Sequence, residues 1–220
     1  MRYKIAELEI RSENAAKPII QASSVLVTWI STMMQVDSAL DYGCGKLRYA
    51  EYLAARCRRL TLVDSEIQLD RVQKIAGEYN TVKDYAQKRW PHSRALSVEQ
   101  FARDPSKYDF VLCANVLSAI PLENVRLQVL TRLSKSLKKH GRCLIVAQYR
   151  NSYFKQVATS EKAVAHLDGW ILKTKRANFY FGILRREKIC TLATANGFRI
   201  IEAWADGQSA YVLAGPADGT

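Results

Sequence analysis

An apolar strand that stops on an acid and then turns through two glycines constrains this chain more than any other feature. The run Ser38–Arg48, SALDYGCGKLR, leaves Asp41 at the strand end, puts Gly43 and Gly45 in the turn and passes into a helix. A second apolar strand, Leu60–Asp64, ends in another acid 23 residues after the first. Glycine lets backbone approach a ligand closely. An acid at the tip of the second strand is placed to hold the two hydroxyls of a ribose. Together they describe a nucleoside-cofactor site on a strand–helix–strand unit.

The rest of the chain repeats that alternation. Apolar residues at Ile19, Ile20, Val25, Leu26, Trp29, Ile30 and Met33 are spaced for a helix over 15–35, ahead of the first strand. Helices are expected over 46–58 and 67–79, then a polar, basic stretch to Trp90 and a short strand at Arg94–Ser97. Strand Phe110–Ala114 leads through a loop at Asn115–Ala119 to Pro121, which suits a helix start. That helix, Leu122–Lys138, carries Val125, Val129, Leu130, Leu133 and Leu137 on one face, and Gly141 is expected to end it before the strand GRCLIVAQY. Nearly unbroken apolar strands around an amphipathic helix mark a parallel sheet covered on both faces. The chain closes differently. A helix over 185–195 stops at Asn196-Gly197, and FRIIEAWA and SAYVLAGP form a hairpin through Asp206-Gly207. The expectation is an α/β chain, with a helical extension or lid over residues 1–35 and one doubly wound domain over 36–220.

Composition narrows the setting. With 48% hydrophobic and 25% charged residues, 220 residues can bury a core without staples. The five cysteines are scattered, with no CxxC pair or Cys/His cluster, so no metal site is expected and a reducing, cytoplasmic setting is. The N-terminus lacks the apolar centre of a signal peptide, and Val25–Met34, broken by Thr28, Ser31 and Thr32, is too short to span a bilayer. A net charge of +12, from 33 basic and 21 acidic residues, suits nucleic acid or anionic lipid, and also occurs in proteins with neither partner.

Five motifs in order, ALDYGCG, LTLVDSE, YDFVLCANVLSAIP, GRCLIVA and ANGFRIIEAW, resemble the class I S-adenosylmethionine-dependent methyltransferases from about Val36 to Gly215. A dinucleotide-binding domain would want a third small residue where Arg48 stands. The resemblance implies a mostly parallel seven-stranded sheet with a C-terminal antiparallel hairpin, and S-adenosyl-L-methionine as cofactor. It implies that the backbone of Asp41, Tyr42, Gly43, Cys44 and Gly45 lines the methionine half, with Asp41 facing the ammonium. Asp64 would take the ribose hydroxyls, Ser65 and Glu66 would border the adenine, and Ser97, Val98 or Glu99 would serve where many relatives carry an acid for the adenine amine. Asn115 and Val116, in the loop after Ala114, would lie beneath the sulfonium and face the acceptor.

Methyl transfer from a sulfonium needs alignment and exclusion of water more than a strong base. Catalytic residues are therefore less legible than cofactor residues. His166 and Asn115 are the candidates; His140 reads as a helix C-terminal cation and His92 as a loop residue. Neither the [DNS]-P-P-[YFW] motif of amino-methylating DNA enzymes nor a Pro-Cys nucleophile follows Ala114. The segment Trp170–Lys188 mixes six cations with Trp170, Phe179, Tyr180 and Phe181, as does Val82–Arg94 on a smaller scale. Such stretches can stack on bases, or can be core with a solvated face. The acceptor is expected to be an oxygen or nitrogen of RNA or of a small molecule. The alternative is a degenerate module that binds nucleic acid or protein, motivated by the bulky Lys46-Leu47 and the missing acid after Ser97.

Overall fold

The computed structural model describes residues 2–150, 152–175 and 177–217. The chain begins with a hairpin of β1 (Arg2–Ile5) and β2 (Leu8–Arg11), then 3-10 turns at Ser12–Ala15 and Ile19–Gln21 and helix α1 (Ser24–Thr32). The extension thus opens with two short strands, and only Ser24–Thr32 is the expected helix. Tyr3 and Ile10 alternate inward in the register of the hairpin, which turns on Ala6 with φ +49°.

Next come β3 (Val36–Tyr42), α2 (Ala50–Ala54), β4 (Cys57–Asp64), α3 (Glu66–Asp70), β5 (Gln73–Ile75), β6 (Glu78–Asn80), α4 (Val82–Arg89), β7 (Ser93–Ser97) and α5 (Val98–Arg103). The remainder is β8 (Tyr108–Ala114), α6 (Glu123–Lys135), β9 (Leu137–Gln148), α7 (Ser152–Ala158), β10 (Ala163–His166), β11 (Gly169–Leu172), β12 (Phe179–Gly182), α8 (Arg186–Thr194), β13 (Phe198–Asp206) and β14 (Ser209–Pro216). Three expectations are corrected. The helix over 46–58 shrinks to α2 because Gly45 and Leu47 both take positive φ, which a helix cannot. The helix over 67–79 stops at Asp70, and β5 and β6 pair through Ala76 and Gly77, at φ +48° and +95°. Gly141 lies inside β9 rather than ending α6, whose cap is Ser136; a Cβ at Gly141 would stand 2.6 Å from the Tyr108 carbonyl oxygen.

Seven strands form one sheet in the order β13-β14-β9-β8-β3-β4-β7, parallel from β9 to β7 and antiparallel at β14. Alternate residues feed two cores. Leu40, Val111 and Ile145 point to the side of α6 and α8, while Ala39, Leu112 and Leu144 point to the side of α1 and α2. Because β3 pairs with β4 on one side and β8 on the other, the order of strands reverses at β3 and a crevice opens at the carboxyl ends of β3 and β8.

A separate three-stranded sheet of β10, β11 and β12 stands over the 3-10 turn at Leu117–Ala119. It is anchored by Arg126, 1% exposed, on α6. The guanidinium donates to the Ile120 carbonyl at 2.8 Å, to the Tyr180 hydroxyl at 2.8 Å and in a fork to Asp168.

Candidate active site

The crevice holds a cavity floored by Asp41, Gly43, Cys44, Gly45, Ala114, Asn115 and Val116, with Asp64 at one side. Gly43 has φ +76°, and a Cβ there would stand 2.3 Å from Val116 Cγ2. That closeness presses the two loop backbones together. Asp64 fixes the turn: one carboxylate oxygen accepts from Gly45 N at 2.9 Å and the other from Ser65 N at 2.7 Å. Gln68 donates to the Gly45 carbonyl at 2.7 Å from the far side. Leu47, at φ +61°, turns fully into the core, so its bulk does not enter the cavity.

Asp41 is 3% exposed, lines the cavity and makes no side-chain hydrogen bond or ion pair among the described residues. Burial and the neighbouring Asp64 charge push its carboxyl up to about 7, against a downward pull from Arg48. Burial also raises Asp64, opposed by the bonds from Gly45 and Ser65. A buried acid with no ion pair among the described residues, beside an open cavity, offers the acceptor oxygens an ammonium requires. The bent glycine turn leaves room for a chain of atoms above it.

The roof comes from the N-terminal extension, which sequence reasoning left without site residues. Tyr3, Ser12, Glu13, Ala16 and Lys17 all line the cavity. The strap is tied down by Ser12 Oγ to the Ala119 carbonyl, by Arg71 to the Glu13 carbonyl at 3.0 Å and by Arg11 N to the Asn178 carbonyl at 3.1 Å. The alternation of Tyr3, Ile5, Leu8 and Ile10 was the available signal.

A second cavity lies at the end of β9 beside the β13–β14 turn, and shares Arg48, Tyr49 and Asn115 with the first. Asn115 stands between them at φ +62°, its side-chain oxygen accepting from Gln148 N at 3.2 Å.

Of the residues singled out from sequence, Asp41, Gly43, Cys44, Gly45, Asp64, Asn115 and Val116 come together around the first cavity. Four others do not. Tyr42 alternates to the opposite face and packs on Phe101, with ring centroids 5.7 Å apart. Ser65 is buried against the Asp64 carboxylate. Ser97 caps α5, accepting from Gln100 N at 3.2 Å and donating to Glu99 at 2.8 Å. His166 Nε2 is 2.7 Å from the Pro121 carbonyl oxygen, and its ring meets Tyr180 edge-on, so it holds the small sheet in place and does not reach either cavity.

The methyltransferase-domain family matches residues 40–143, the span holding both strand-end acids, the glycine turn and the Asn115 loop. The chain is 35% identical over 215 residues to the uncharacterized protein YmfD of Escherichia coli (strain K12), covering 98% of this chain and 96% of that one. The chain belongs to the class I S-adenosylmethionine-dependent methyltransferases.

Among solved structures, this methyltransferase is similar in fold to the N-methyltransferase NodS of Bradyrhizobium japonicum WM9 in complex with S-adenosyl-l-homocysteine. The TM-score is 0.58 at 17% identity, over 87% of this chain and 84% of that one. It is similar also to the 1,6-didemethyltoxoflavin-N1-methyltransferase of Burkholderia thailandensis, with a TM-score of 0.61 at 14% identity over 93% and 80% of the two chains.

Proposed function

We propose that this methyltransferase moves a methyl group from S-adenosylmethionine to a nitrogen or oxygen of a small polar molecule. The observation that carries this reading is the pair of adjacent cavities, one over the glycine turn and one beyond Asn115, with Arg48, Tyr49 and Asn115 in the walls of both. The cofactor supplies an electrophilic methyl on its sulfonium. The chain supplies the rest: Asp41 would hold the ammonium, Asp64 the ribose, and the N-terminal strap would act as a lid that keeps water from the reacting atoms. Asn115, clamped by Gln148 N, would position the acceptor at the junction.

Three observations bear on the acceptor and on whether the site works. Of the aromatic residues in the basic stretches, Tyr180 is buried in the Arg126 network and Tyr85 and Trp90 meet edge-on, while Trp170, Phe179 and Phe181 are half-buried on the small sheet. Arg176, one of the six cations, lies outside the described residues. Of the bulky pair after Gly45, Leu47 lies outside the cavity and Lys46 lines it as a cation that suits the cofactor carboxylate, which supports catalysis over a degenerate module. Two of the similar structures are methyltransferases whose described methylation or bound acceptor concerns small molecules or nitrogen. Separately, five free cysteines, three of them buried, support a reducing, cytoplasmic setting. Calorimetry tests the donor: heat with S-adenosylmethionine at micromolar concentration is expected, and none at high micromolar cofactor would overturn the reading.

A further inference from the structure

The second cavity has one cation among its described lining residues, Arg48. Its guanidinium lies 5.5 Å from the Tyr49 ring centroid and touches the Tyr49 hydroxyl at 3.4 Å, and it makes no ion pair among the described residues. The one acid in that lining, Asp206, sits exposed on the β13–β14 turn at the rim. The remaining polar groups are neutral, among them Gln21, Ser23, Gln148 and Ser209. A half-buried guanidinium without a carboxylate keeps its planar fork of donors open, and that fork matches a carboxylate or phosphate in two parallel bonds.

The geometry points to an acceptor that carries an oxyanion group, held by Arg48 in the second cavity while neutral amides and hydroxyls hold its polar body. This rests on the methyltransferase reading above and names its substrate class. The competing claimant for Arg48 is the carboxylate of the cofactor itself, since Arg48 lines both cavities. The first cavity, however, has two further cations, Lys17 and Lys46, whereas the second has none. The cofactor carboxylate therefore has other partners, and an anion in the second cavity has only Arg48.

The test uses the full chain saturated with S-adenosylhomocysteine. It is titrated calorimetrically with small hydroxylated acids and phosphate monoesters, each paired with its neutral amide or alcohol, such as 4-hydroxybenzoate with 4-hydroxybenzamide. The expected result is one or more anions binding about tenfold or more tighter than the neutral partner, the effect of a charge-assisted forked contact. Arg48→Gln, kept saturated by raising the S-adenosylhomocysteine concentration to offset the lost charge beside Asp41, should erase that preference, and Arg48→Lys should restore part of it. The proposal is overturned if no anion in the set outbinds its partner. It is also overturned if the saturated Arg48→Gln protein keeps the preference for the anion. Failure of the wild-type protein to bind S-adenosylhomocysteine at all would instead sink the functional reading, and the inference with it.

Discussion

Asp41 is the residue in which burial, charge and ligand meet. Three effects act on it: burial opposes its charge most strongly, Asp64 from β4 repels it, and Arg48 from the turn favours it. A carboxyl raised in the folded state to about 7 binds a proton that the unfolded chain has already lost. Its contribution to stability is thus present below the ordinary carboxylate value near 4 and disappears as pH rises through 7. Without cofactor, the wild type should lose stability relative to Asp41→Asn between pH 5 and 8, read from denaturant melts of both proteins across that range. A pH-independent difference would remove the buried charge from the account. The cofactor ammonium reverses the preference, because it favours the ionised acid. S-adenosylmethionine affinity should therefore climb as pH rises through 7, with proton release visible as buffer-dependent heat. Asp41→Asn should weaken binding by about 10- to 100-fold, the worth of a charged hydrogen bond.

At the scale of elements, the site is two loops pressed together and a strap laid across them. Gly43→Ala would put a methyl 2.3 Å from Val116 Cγ2 on a backbone at φ +76°. The left-handed conformation alone costs about 1–2 kcal/mol for a residue with a Cβ. Reduced melting temperature together with lost cofactor affinity is expected, and unchanged affinity in the Gly43→Ala variant would show that the loops need not touch. The strap should set the release rate. Arg71→Ala removes the bond to the Glu13 carbonyl and the contact with Asn14 Oδ1 at 3.2 Å, at the edge of the roof. Faster dissociation of S-adenosylmethionine in stopped flow, with little change in melting temperature, is the expected outcome; an unchanged rate would mean the strap is not a gate.

Those elements were unequally legible. The strands and the glycine turn could be read because β3, β4, β8 and β9 are buried on both faces and so are continuously apolar. The strap could not, because its hairpin turns on Ala6 at φ +49°, where sequence signals expect glycine or asparagine. The same disguise hid β10 and β11, which turn on Leu167 at φ +47°. Arg48 was legible only as a missing glycine; that it bridges two cavities depends on Leu47 twisting the chain out of the helix that spacing predicts.

For the whole molecule, the open question of charge and partner turns on how the small sheet is held. Arg126 forks onto Asp168 and reaches Tyr180, so the aromatic, basic segment is drawn down over the loop that carries Ala119 and Ile120 into the cofactor cavity. Removing one member of a buried ionic network strands the others; Arg126→Met should lower stability by about 3–5 kcal/mol in denaturant unfolding. A loss under about 1 kcal/mol would mean the network is solvated in solution. With Tyr180 held there, Trp170, Phe179 and Phe181 remain half-buried in that segment, and the small-acceptor reading predicts that they stack on no base. Attraction to RNA should then be purely to phosphate, which releases counterions and so weakens steeply with salt. Transfer RNA should bind at about 50 mM salt and fall away by at least about tenfold at about 200 mM, with the same salt slope whether or not S-adenosylhomocysteine is present. If instead the cofactor product tightens RNA binding, or binding persists at high salt, the polyanion would be engaging the site itself, and a small oxyanion would no longer be the acceptor that Arg48 is placed to hold.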